Sequence, residues 1–336
     1  MDRLVLKILV LRFSSIGDIV LTSPVLRCLK QQTGATVHFL CKESFRPVVA
    51  SNPYVDRVFA FQKGISEVLP ALRAEKYDLV VDLHRNLRSL QLKWRLGKRS
   101  YSFRKLNLEK WLLVNWRINR LPAVHIVDRY MACVAPLGVQ YDGGGLDFFI
   151  PEGQDWRQRI PAAEQPKQPF VAFVIGATHA TKRLPTEKLI YLCSHIQQPV
   201  VLLGGKQEVA LGEQVAAAVG AHVHNYCGRL SLYESASVVR DADLVLTHDT
   251  GLMHIAAAFR KRIVSVWGNT VPEFGMYPFY PTGMEANTSF QVNGLTCRPC
   301  SKIGYAACPK GHFACMKNIP TDAIAARINH PDSPEK

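Results

Sequence analysis

The apolar and polar positions of the chain change their period within the first thirty residues. Residues 8–11 form an unbroken apolar run between Lys7 and Arg12, which is the pattern of a strand buried on both faces. From Ile19 to Lys30 the apolar positions follow a helical spacing instead. The pattern predicts a strand, a tight loop and a helix, and open α/β sheets bind ligands at such loops.

The same alternation of short apolar runs and helix-length segments continues to about residue 150. Apolar runs at residues 36–40, 58–61 and 79–82 are separated by segments long enough for helices, such as residues 66–75. Strands that alternate with helices predict a parallel sheet covered on both faces.

The pattern stops over residues 151–169, where four prolines and many polar residues predict a linker. It then restarts, with predicted strands at 170–175, 199–203, 244–247 and 263–267 and predicted helices at 186–198, 208–219 and 232–240.

A chain of 336 residues also exceeds the usual size of a single core. We predict an α/β protein with two doubly wound, Rossmann-like domains facing a central cleft, an N-terminal domain over residues 1–160 and a C-terminal domain over residues 161–336. The C-terminal helix is a candidate to pack back on the N-terminal domain.

Composition narrows the class of protein. Hydrophobic residues make up 48% of the chain and charged residues 20%, so a globular fold is expected rather than a disordered chain. No apolar run is long enough for a membrane span or for the core of a signal peptide, which predicts a cytoplasmic protein. The tail over residues 330–336 is expected to be disordered.

The net charge of +14 is concentrated in the first half of the chain. Residues 1–150 contain 23 Lys and Arg against 12 Asp and Glu, whereas the remainder contains 18 against 15. Between residues 85 and 129 there are 12 basic residues and two acidic ones, with five aromatic residues among them. A solvated helical face is the ordinary explanation of such a run, although the aromatic residues also suit an acidic partner. No RNA-binding or zinc-finger signature is present, which favours an anionic lipid or saccharide over nucleic acid.

Four residues at the start of this basic stretch are candidate acceptor-binding residues. His84, Arg85, Asn86 and Arg88 follow the strand predicted at residues 79–82. Because parallel strands end at the same edge of a sheet, these side chains are expected to face the same crevice as the loop after the first strand.

The loop after the first strand carries two hydroxyls, a glycine and a carboxylate. Ser14, Ser15, Gly17 and Asp18 precede a helix, whose N-terminus offers unpaired N–H groups to an anion. Taken alone, Asp18 is better explained as a helix N-cap. Pro24 weakens that explanation, because proline prefers the first turn of a helix and marks a second helix start.

Two loops of the second half have a composition suited to a nucleotide. Residues 176–183 follow a strand and combine the hydroxyls of Thr178 and Thr181 with two cations, one of them Lys182, as expected around a phosphate. The glycine spacing of a Walker loop is absent. Glu208 lies where a strand gives way to a helix, and it either accepts a hydrogen bond from a ribose hydroxyl or complements the helix dipole.

A third loop is the most specific. A buried apolar strand runs into Asp249, Thr250 and Gly251 at the start of an apolar helix that also carries His254. Each residue alone is explained by a helix cap or by a core position. Together they describe backbone donors and a hydroxyl at a helix N-terminus, which is the arrangement that a diphosphate needs.

Taken together, these motifs resemble glycosyltransferase family nine, the ADP-heptose:lipopolysaccharide heptosyltransferases. The resemblance rests on Ser-Ser-Ile-Gly-Asp after the first strand, a lysine loop, and Asp-Thr-Gly-Leu-Met-His in the second domain, and it covers nearly the whole chain. It implies a GT-B fold, an ADP-sugar donor on the C-terminal domain and a lipid A–core acceptor on the N-terminal domain. It also implies inversion at the anomeric carbon without a metal ion, by a cytoplasmic enzyme associated peripherally with the inner membrane.

The resemblance further implies roles for individual residues. Asp18 matches the family's general base, in a loop shaped by Ser15 and Gly17. Lys182 matches the basic residue on the donor phosphate, and Glu208 matches the acid that binds ribose. The full set of matching donor-side residues is Ser15, Gly17, Thr178, Thr181, Lys182, Glu208, Asp249, Thr250, Gly251 and His254.

Four of the nine cysteines cluster with a histidine near the C-terminus. The other five are scattered through apolar segments, which is typical of reduced core thiols. The cluster offers five zinc ligands: Cys297, Cys300, Cys308, His312 and Cys315. Similar positions recur in the heptosyltransferase II-like branch without an implied zinc requirement. A structural zinc is therefore not favoured, and no cofactor is expected beyond the ADP-sugar substrate.

Two other classes of function remain open. One is a sugar-nucleotide epimerase, or a glycosyltransferase using a different NDP-sugar, on the same fold. The other is a basic binding module for anionic lipid or RNA. An epimerase needs no acceptor surface, and a binding module needs neither the Lys182 loop nor the Asp249 loop. The sequence therefore favours an inverting glycosyltransferase that moves heptose from an ADP-sugar to the lipid A–core oligosaccharide.

Overall fold

The computed structural model describes residues 5–331, so most of the tail predicted to be disordered lies outside the described residues. Two compact units divide the chain. The first comprises Met1–Leu106, Val124–Phe149 and Phe279–Gly283, and the second comprises Asn107–Ala123, Ile150–Pro278 and Met284–Lys336. Each unit therefore contains segments that are distant in sequence.

Eleven strands and thirteen α-helices are formed by the described residues. The strands are β1 (Lys7–Leu11), β2 (Thr36–Lys42), β3 (Arg57–Phe61), β4 (Leu79–Asp82), β5 (Arg99–Ser102), β6 (Val171–Val174), β7 (Val200–Leu203), β8 (Val223–Asn225), β9 (Leu244–His248), β10 (Arg262–Trp267) and β11 (Asn287–Gln291). The helices are α1 (Ile16–Val20), α2 (Ser23–Thr33), α3 (Leu69–Ala74), α4 (Leu87–Leu96), α5 (Asn107–Trp116), α6 (Ile126–Val134), α7 (Trp156–Arg159), α8 (Thr186–His195), α9 (Val209–Val219), α10 (Leu232–Asp241), α11 (Gly251–Ala258), α12 (Ala314–Lys317) and α13 (Thr321–Asn329).

The first unit is built on a parallel sheet with the strand order β3-β2-β1-β4-β5. The central strands β1 and β4 are almost wholly buried, as expected for strands covered by helices on both faces. Their register pairs Leu11 with Asp82. The loops that follow β1 and β4 therefore begin side by side at one edge of the sheet.

Helix α2 shows how local sequence sets the ends of an element in this unit. Pro24 occupies its first turn, which confirms the second helix start predicted there. Its C-terminus ends at Gly34, whose φ of 65° is the left-handed conformation that glycine adopts without strain. Between these ends, residues 23–29 are buried, and the helix packs against α6.

The second unit contains a six-stranded parallel sheet in the order β11-β10-β9-β6-β7-β8. Its core combines Val171 and Phe173 of β6 with Leu202 of β7 and Leu246 of β9, each of them fully buried. The last helix, α13, packs against α8 of the same unit. Asn329 joins the two, because its amide donates to the carbonyl of His195 at 2.8 Å.

Some predicted elements differ from the structure. The proline-rich segment 151–169 is not a linker: Trp156 in α7 is 1% exposed, and its indole donates to Asp241 at 2.9 Å. One large aromatic residue thus anchors an otherwise polar segment in the second unit. The helix predicted over residues 66–75 is shorter, since a 3-10 turn (Ile65–Glu67) precedes α3. Strands β5, β8 and β11 were not predicted.

The α/β class with two doubly wound parallel sheets is confirmed. Among residues 5–331, no helix combines the length and apolar character needed to cross a membrane.

Candidate active site

The carboxylate of Asp18 lies in the loop and first turn that follow β1. Ser15 occupies the N-cap position of α1, and Asp18 is the third residue of the helix. Asp18 is therefore not the N-cap. The Ser15 hydroxyl donates to Asp18 Oδ2 at 2.9 Å, and Arg12 Nη2 lies 2.6 Å from Asp18 Oδ1. Gly17, which lies between Ser15 and Asp18 in the sequence, is buried. The Asp18 side chain remains 21% exposed.

These contacts keep Asp18 ionised. Burial acts to raise the pKa of Asp18, but the charge of Arg12 and the hydrogen bonds from Ser15 and Arg12 outweigh it, so that the pKa lies below its ordinary value. A carboxylate that is charged and partly exposed at neutral pH can accept a proton from a hydroxyl placed beside it.

Arg12 is the residue of this site that sequence reasoning missed. It follows β1 directly and is only 8% exposed. Besides Asp18, its guanidinium donates to the carbonyls of Ser14 at 2.8 Å and Leu83 at 2.7 Å and to the hydroxyl of Tyr130 at 3.0 Å. An arginine with this many fixed acceptors orients the carboxylate beside it. The signal for it in the sequence was a charge at the end of a buried strand.

His84 lies next to this site at the end of β4. Its ring packs against Phe13, with centroids 4.6 Å apart. Burial, followed by the charges of Arg12 and Lys105, lowers the pKa of His84 to about 4, so the imidazole is neutral at pH 7. Among the described residues its Nδ1 has no hydrogen-bond partner.

A buried carboxylate, Asp82, shapes the turn that carries the candidate acceptor residues. Asp82 is fully buried, pairs with Lys93 at 2.9 Å, and accepts from the backbone of His84 at 3.0 Å and of Arg85 at 2.7 Å. Asn86 caps α4 by accepting from the backbone of Ser89 at 2.9 Å.

An open pocket of about 560 Å³ lies beside this turn in the first unit. Its lining includes Arg85, Asn86, Leu87, Leu90 and Lys93. Arg88 is exposed on the same helix. The predicted acceptor residues therefore gather around one turn, with cations and apolar side chains together.

Lys182 forms the second charged pair, in the other unit. It ends a 3-10 turn (Ala180–Lys182) in the loop after β6, and its Nζ lies 2.5 Å from Asp249 Oδ2. The Thr270 hydroxyl donates to the same oxygen at 2.9 Å. Sequence reasoning missed Thr270, which follows β10, the strand beside β9 in the sheet.

The two predicted threonines of the Lys182 loop differ in their surroundings. Thr178 is exposed. Thr181 is 2% exposed, and its hydroxyl accepts from the backbone of Tyr305 at 2.8 Å. Thr181 therefore fixes the loop, whereas Thr178 is accessible to a ligand.

Glu208 contacts the start of a helical segment and a neighbouring cation. Its Oε2 accepts from the backbone of Gly205 at 2.9 Å, which satisfies a helix N-terminus, and its Oε1 lies 3.3 Å from Arg183. A Cβ added to Gly176 would lie 3.1 Å from this carboxylate, and one added to Gly204 would lie 2.8 Å from the Glu208 side chain. The two glycines thus let Glu208 sit at the ends of β6 and β7.

The N-terminus of α11 is open toward the same sheet edge. Thr250 is its N-cap but makes no side-chain cap bond, and its hydroxyl lies 3.2 Å from that of Thr247. Gly251 is the first helical residue, and His254 in the next turn is 2% exposed. Backbone N–H groups, a lysine and a hydroxyl come together here, and such groups have the chemistry to bind a phosphate.

The C-terminal cysteines do not form a finished metal centre. In the described part of the chain, no group of three His, Cys, Asp or Glu side chains is arranged to hold a metal ion. All nine cysteines, which lie within the described residues, have free thiols.

Most of the chain matches the model of one known protein family. Residues 65–306 match the model of glycosyltransferase family 9 (heptosyltransferase). The lipooligosaccharide heptosyltransferase 2 of Haemophilus ducreyi is 24% identical over 299 residues, which cover 80% of this chain and 85% of that protein.

Solved structures share the fold. A family 9 glycosyltransferase from Veillonella parvula superposes with a TM-score of 0.75 at 21% identity and covers 97% of this chain and 98% of its own. The ADP-heptose heptosyltransferase II of Escherichia coli superposes with a TM-score of 0.72 at 20% identity. The superposition covers 96% of this chain and 98% of the Escherichia coli chain. These likenesses confirm the predicted GT-B fold.

Proposed function

The chain belongs to glycosyltransferase family 9, and from that membership we propose that it transfers heptose from an ADP-sugar to the lipid A–core oligosaccharide of lipopolysaccharide. The observation that carries the proposal is that one unit holds an exposed anionic group and the other holds a cationic site. The first unit holds an ionised, partly exposed carboxylate at Asp18, and the second holds a lysine beside an open helix N-terminus.

The second unit has the groups that a nucleotide-diphosphate donor requires. When the glycosidic bond breaks, negative charge accumulates on the departing diphosphate, and Lys182 with the N–H groups of Thr250 and Gly251 can stabilise it. Glu208, at the ends of β6 and β7, is our candidate for the ribose hydroxyls. The similar Escherichia coli protein is an ADP-heptose heptosyltransferase, which supports ADP-heptose as the donor.

The first unit has the group that the acceptor hydroxyl requires. Asp18 takes the proton as the hydroxyl attacks the anomeric carbon from the face opposite the leaving diphosphate, and the configuration inverts. Neutral His84 lies close by, with its ring packed against Phe13 after β1. Lys182 and the backbone dipoles stabilise the negative charge that develops on the departing diphosphate. We therefore propose that transfer needs no metal ion.

Helix α4 supports an acceptor that is anchored in a membrane. Leu87, Leu90 and Trp94 are 78%, 59% and 83% exposed and lie three and four residues apart, which places them on one face. Exposed Arg88 and Arg95 flank them. An apolar face bordered by cations suits the surface of an anionic bilayer. This surface supports our proposal that the enzyme associates peripherally with the cytoplasmic side of the inner membrane.

The donor assignment is tested with the full chain and a panel of ADP-, UDP- and GDP-sugars in a thermal-shift assay. A ligand that binds only the native state raises the melting temperature. We expect the largest rise with ADP-heptose, followed by release of ADP when a lipid A–core acceptor is added. A larger rise with a UDP-sugar would overturn the heptosyltransferase proposal. Conversion of the free sugar nucleotide without an acceptor would favour an epimerase instead.

The acceptor surface is tested by reversing one exposed charge. Arg88→Glu should raise the KM for the acceptor and weaken binding to vesicles containing anionic phospholipid, by about five- to thirtyfold given roughly 1 kcal/mol per cation near such a surface. Lys63→Glu, an equal charge change at another exposed position of the first unit, is the control. Equal behaviour of the two variants at low salt would show that α4 is an ordinary solvated face.

A further inference from the structure

The loop after β6 carries two adjacent cations that pair with two different acids. Lys182 pairs with Asp249, which directly follows β9. Nη1 of Arg183 lies 3.3 Å from Oε1 of Glu208, which ends the 3-10 turn after β7. Strand β6 lies between β9 and β7 in the sheet. The two cations therefore reach toward different neighbours of β6, and Arg183 serves a different part of the site from Lys182.

Arg183 is held in place by its own loop and by the end of β9. Its Nε donates to the carbonyl of Ala177 at 2.8 Å, which closes the loop on itself. Its backbone N–H donates to the carbonyl of Ala180 at 3.0 Å. The next backbone N–H, that of Leu184, donates to Nε2 of fully buried His248 at 3.1 Å. A guanidinium anchored in this way presents its remaining N–H groups in a fixed direction.

Glu208 is confined on its other side by backbone. Gly176, Gly204 and Gly205 surround it, and a Cβ added to any of them would lie 3.4 Å or less from the Glu208 side chain. Oε2 of Glu208 accepts from the backbone N–H of Gly205 at 2.9 Å. The position of the carboxylate is therefore set by backbone at Oε2 and by Arg183 at Oε1.

The carboxylate of Glu208 has hydrogen-bonding capacity left for a ligand. Its two oxygens together offer about four acceptor sites. Oε2 accepts one backbone hydrogen bond, and Oε1 faces one cation. A ribose presents two neighbouring hydroxyl donors, and an acid near the carboxyl ends of parallel strands is well placed to accept from them.

We propose that Arg183 is a positioning residue, which holds the Glu208 carboxylate so that it accepts from both hydroxyls of the donor ribose. This inference rests on the proposed function, in which Glu208 binds the ribose. The order of the groups supports it. In a nucleoside diphosphate the ribose is joined directly to the diphosphate, and in the loop Arg183 is joined directly to Lys182, our candidate for the diphosphate.

Arginine suits this task better than lysine. Its planar fork can donate to the Ala177 carbonyl through Nε while Nη1 faces Glu208. The ammonium of a lysine is a single point on a flexible stem and cannot serve both acceptors at once. Arg183→Lys therefore keeps the charge and loses part of the orientation.

The test compares ADP with 2′,3′-dideoxy-ADP, which lacks both ribose hydroxyls. Binding of each ligand to the full-length chain is measured by titration calorimetry. The unmodified chain should bind ADP about ten- to a hundredfold more tightly, because hydrogen bonds to a charged acceptor are missing with the dideoxy ligand. Both ligands carry the same diphosphate, so effects on the diphosphate cancel in the ratio of the two affinities.

Arg183→Met should lower this ratio by about three- to thirtyfold, the usual coupling between groups in contact. Arg183→Lys should give an intermediate ratio. If Arg183→Met fails to melt cooperatively, Arg183→Gln takes its place, because the amide of glutamine can still donate to the Ala177 carbonyl.

Arg262→Met is the matched control. Nη2 of Arg262 lies 2.7 Å from Oδ2 of Asp243, so this variant also breaks an arginine–carboxylate pair of the second unit. Arg262 begins β10 and Asp243 directly precedes β9, which places the pair at the amino ends of the strands, at the opposite edge of the sheet from Glu208. The ratio should stay at its unmodified value in this variant.

An unchanged ratio in Arg183→Met would overturn the positioning role. If both ligands then bound more weakly, Arg183 would instead contact the diphosphate or support the loop as a whole. An equal fall of the ratio in Arg262→Met would also contradict the proposal. Equal binding of the two ligands by the unmodified chain would remove the ribose role of Glu208 and the role of Arg183 with it.

The donor assignment can fail separately. If UDP or GDP binds more tightly than ADP, the heptosyltransferase proposal is overturned. The ratio is then measured with that nucleotide and its dideoxy form, because all three nucleotides carry the same ribose diol. A fall of the ratio in Arg183→Met would still support the positioning role.

Discussion

Two ion pairs lie at the carboxyl ends of central parallel strands, and they are built in opposite ways. In the first unit Arg12 is 8% exposed and donates to three acceptors besides Asp18. In the second unit Lys182 Nζ is paired with Asp249, and its remaining hydrogen bond is a long one of 3.5 Å to the Asp249 carbonyl.

The difference indicates which member of each pair reacts. An arginine held by several fixed acceptors cannot leave its position, so it presents Asp18. A lysine held by one carboxylate can exchange that partner for a phosphate, since its ammonium is a compact charge on a flexible stem. Asp249, held by Thr270, is then the fixed member, and we propose Lys182 as the group that binds the donor phosphate.

The largest expected effect is that of Asp18→Asn. Asparagine keeps the size of the side chain and can still accept from Ser15, but it has no basic lone pair. Turnover should fall by about two to four powers of ten if Asp18 is the general base. The measurement is kcat with ADP-heptose and acceptor, together with ADP-heptose affinity, which should stay close to that of the unmodified chain. A melting curve accompanies it, and the melting temperature should fall because buried Arg12 loses its charged partner.

A purely structural role predicts a different outcome for this variant. If Asp18 only holds Ser15 and Arg12 in place, the variant should melt at a lower temperature but keep its turnover. Near-normal turnover would therefore remove Asp18 as the base and make His84 the next residue to test.

The central strands of both sheets were predictable and most edge strands were not. Strands β1, β2, β4, β6, β7, β9 and β10 are mostly apolar in sequence and almost wholly buried, as expected for the inner strands of a parallel sheet. The strands that were missed, β5, β8 and β11, all lie at sheet edges. β5 is largely exposed, with the sequence Arg-Ser-Tyr-Ser. An edge strand open to solvent needs no apolar run, so its pairing leaves little trace in the sequence.

The loops of the candidate site were predictable, but their contacts were not. Parallel strands end at a common edge, so Asp18, the His84 turn, Lys182 and Asp249 could each be placed at a strand end. The partner of Lys182 is 67 residues away, and Arg12 reaches Tyr130 across 118 residues. Such pairs depend on the register of the sheet and on side-chain packing, which local pattern does not specify.

The second prediction concerns Lys182. Lys182→Ala should lower kcat by about two to three powers of ten, the usual cost of removing one preorganised group that stabilises charge in the transition state, and should weaken ADP binding. Asp249→Asn keeps the ammonium but loosens its anchor, so its effect should be smaller. Steady-state kinetics and ADP titration measure both.

Lys188→Ala is the matched control for Lys182. Lys188 lies on α8 of the same unit, and its Nζ contacts the carbonyl of Ile319 at 3.4 Å rather than the proposed donor site. If Lys188→Ala lowers kcat as much as Lys182→Ala does, the loss reflects the unit as a whole, and the contrast between the two ion pairs disappears.

The last and smallest effect tests the positioning role of Arg12 through pH. Because burial raises the pKa of Asp18 and Arg12 is the largest influence that opposes it, Arg12→Met should raise the pKa of Asp18. A base must be ionised, so the acid limb of kcat/KM should move upward in pH. On the alkaline plateau of the profile, where the carboxylate is ionised, the loss of rate should be at most about tenfold, because Asp18 itself is intact.

Arg12→Lys is the matched variant. It keeps the charge and should leave the acid limb nearly in place, even though lysine cannot reach Ser14, Leu83 and Tyr130 together. A purely structural Arg12 would lower the melting temperature in both variants and leave the shape of both pH profiles unchanged, and that result would contradict the positioning role.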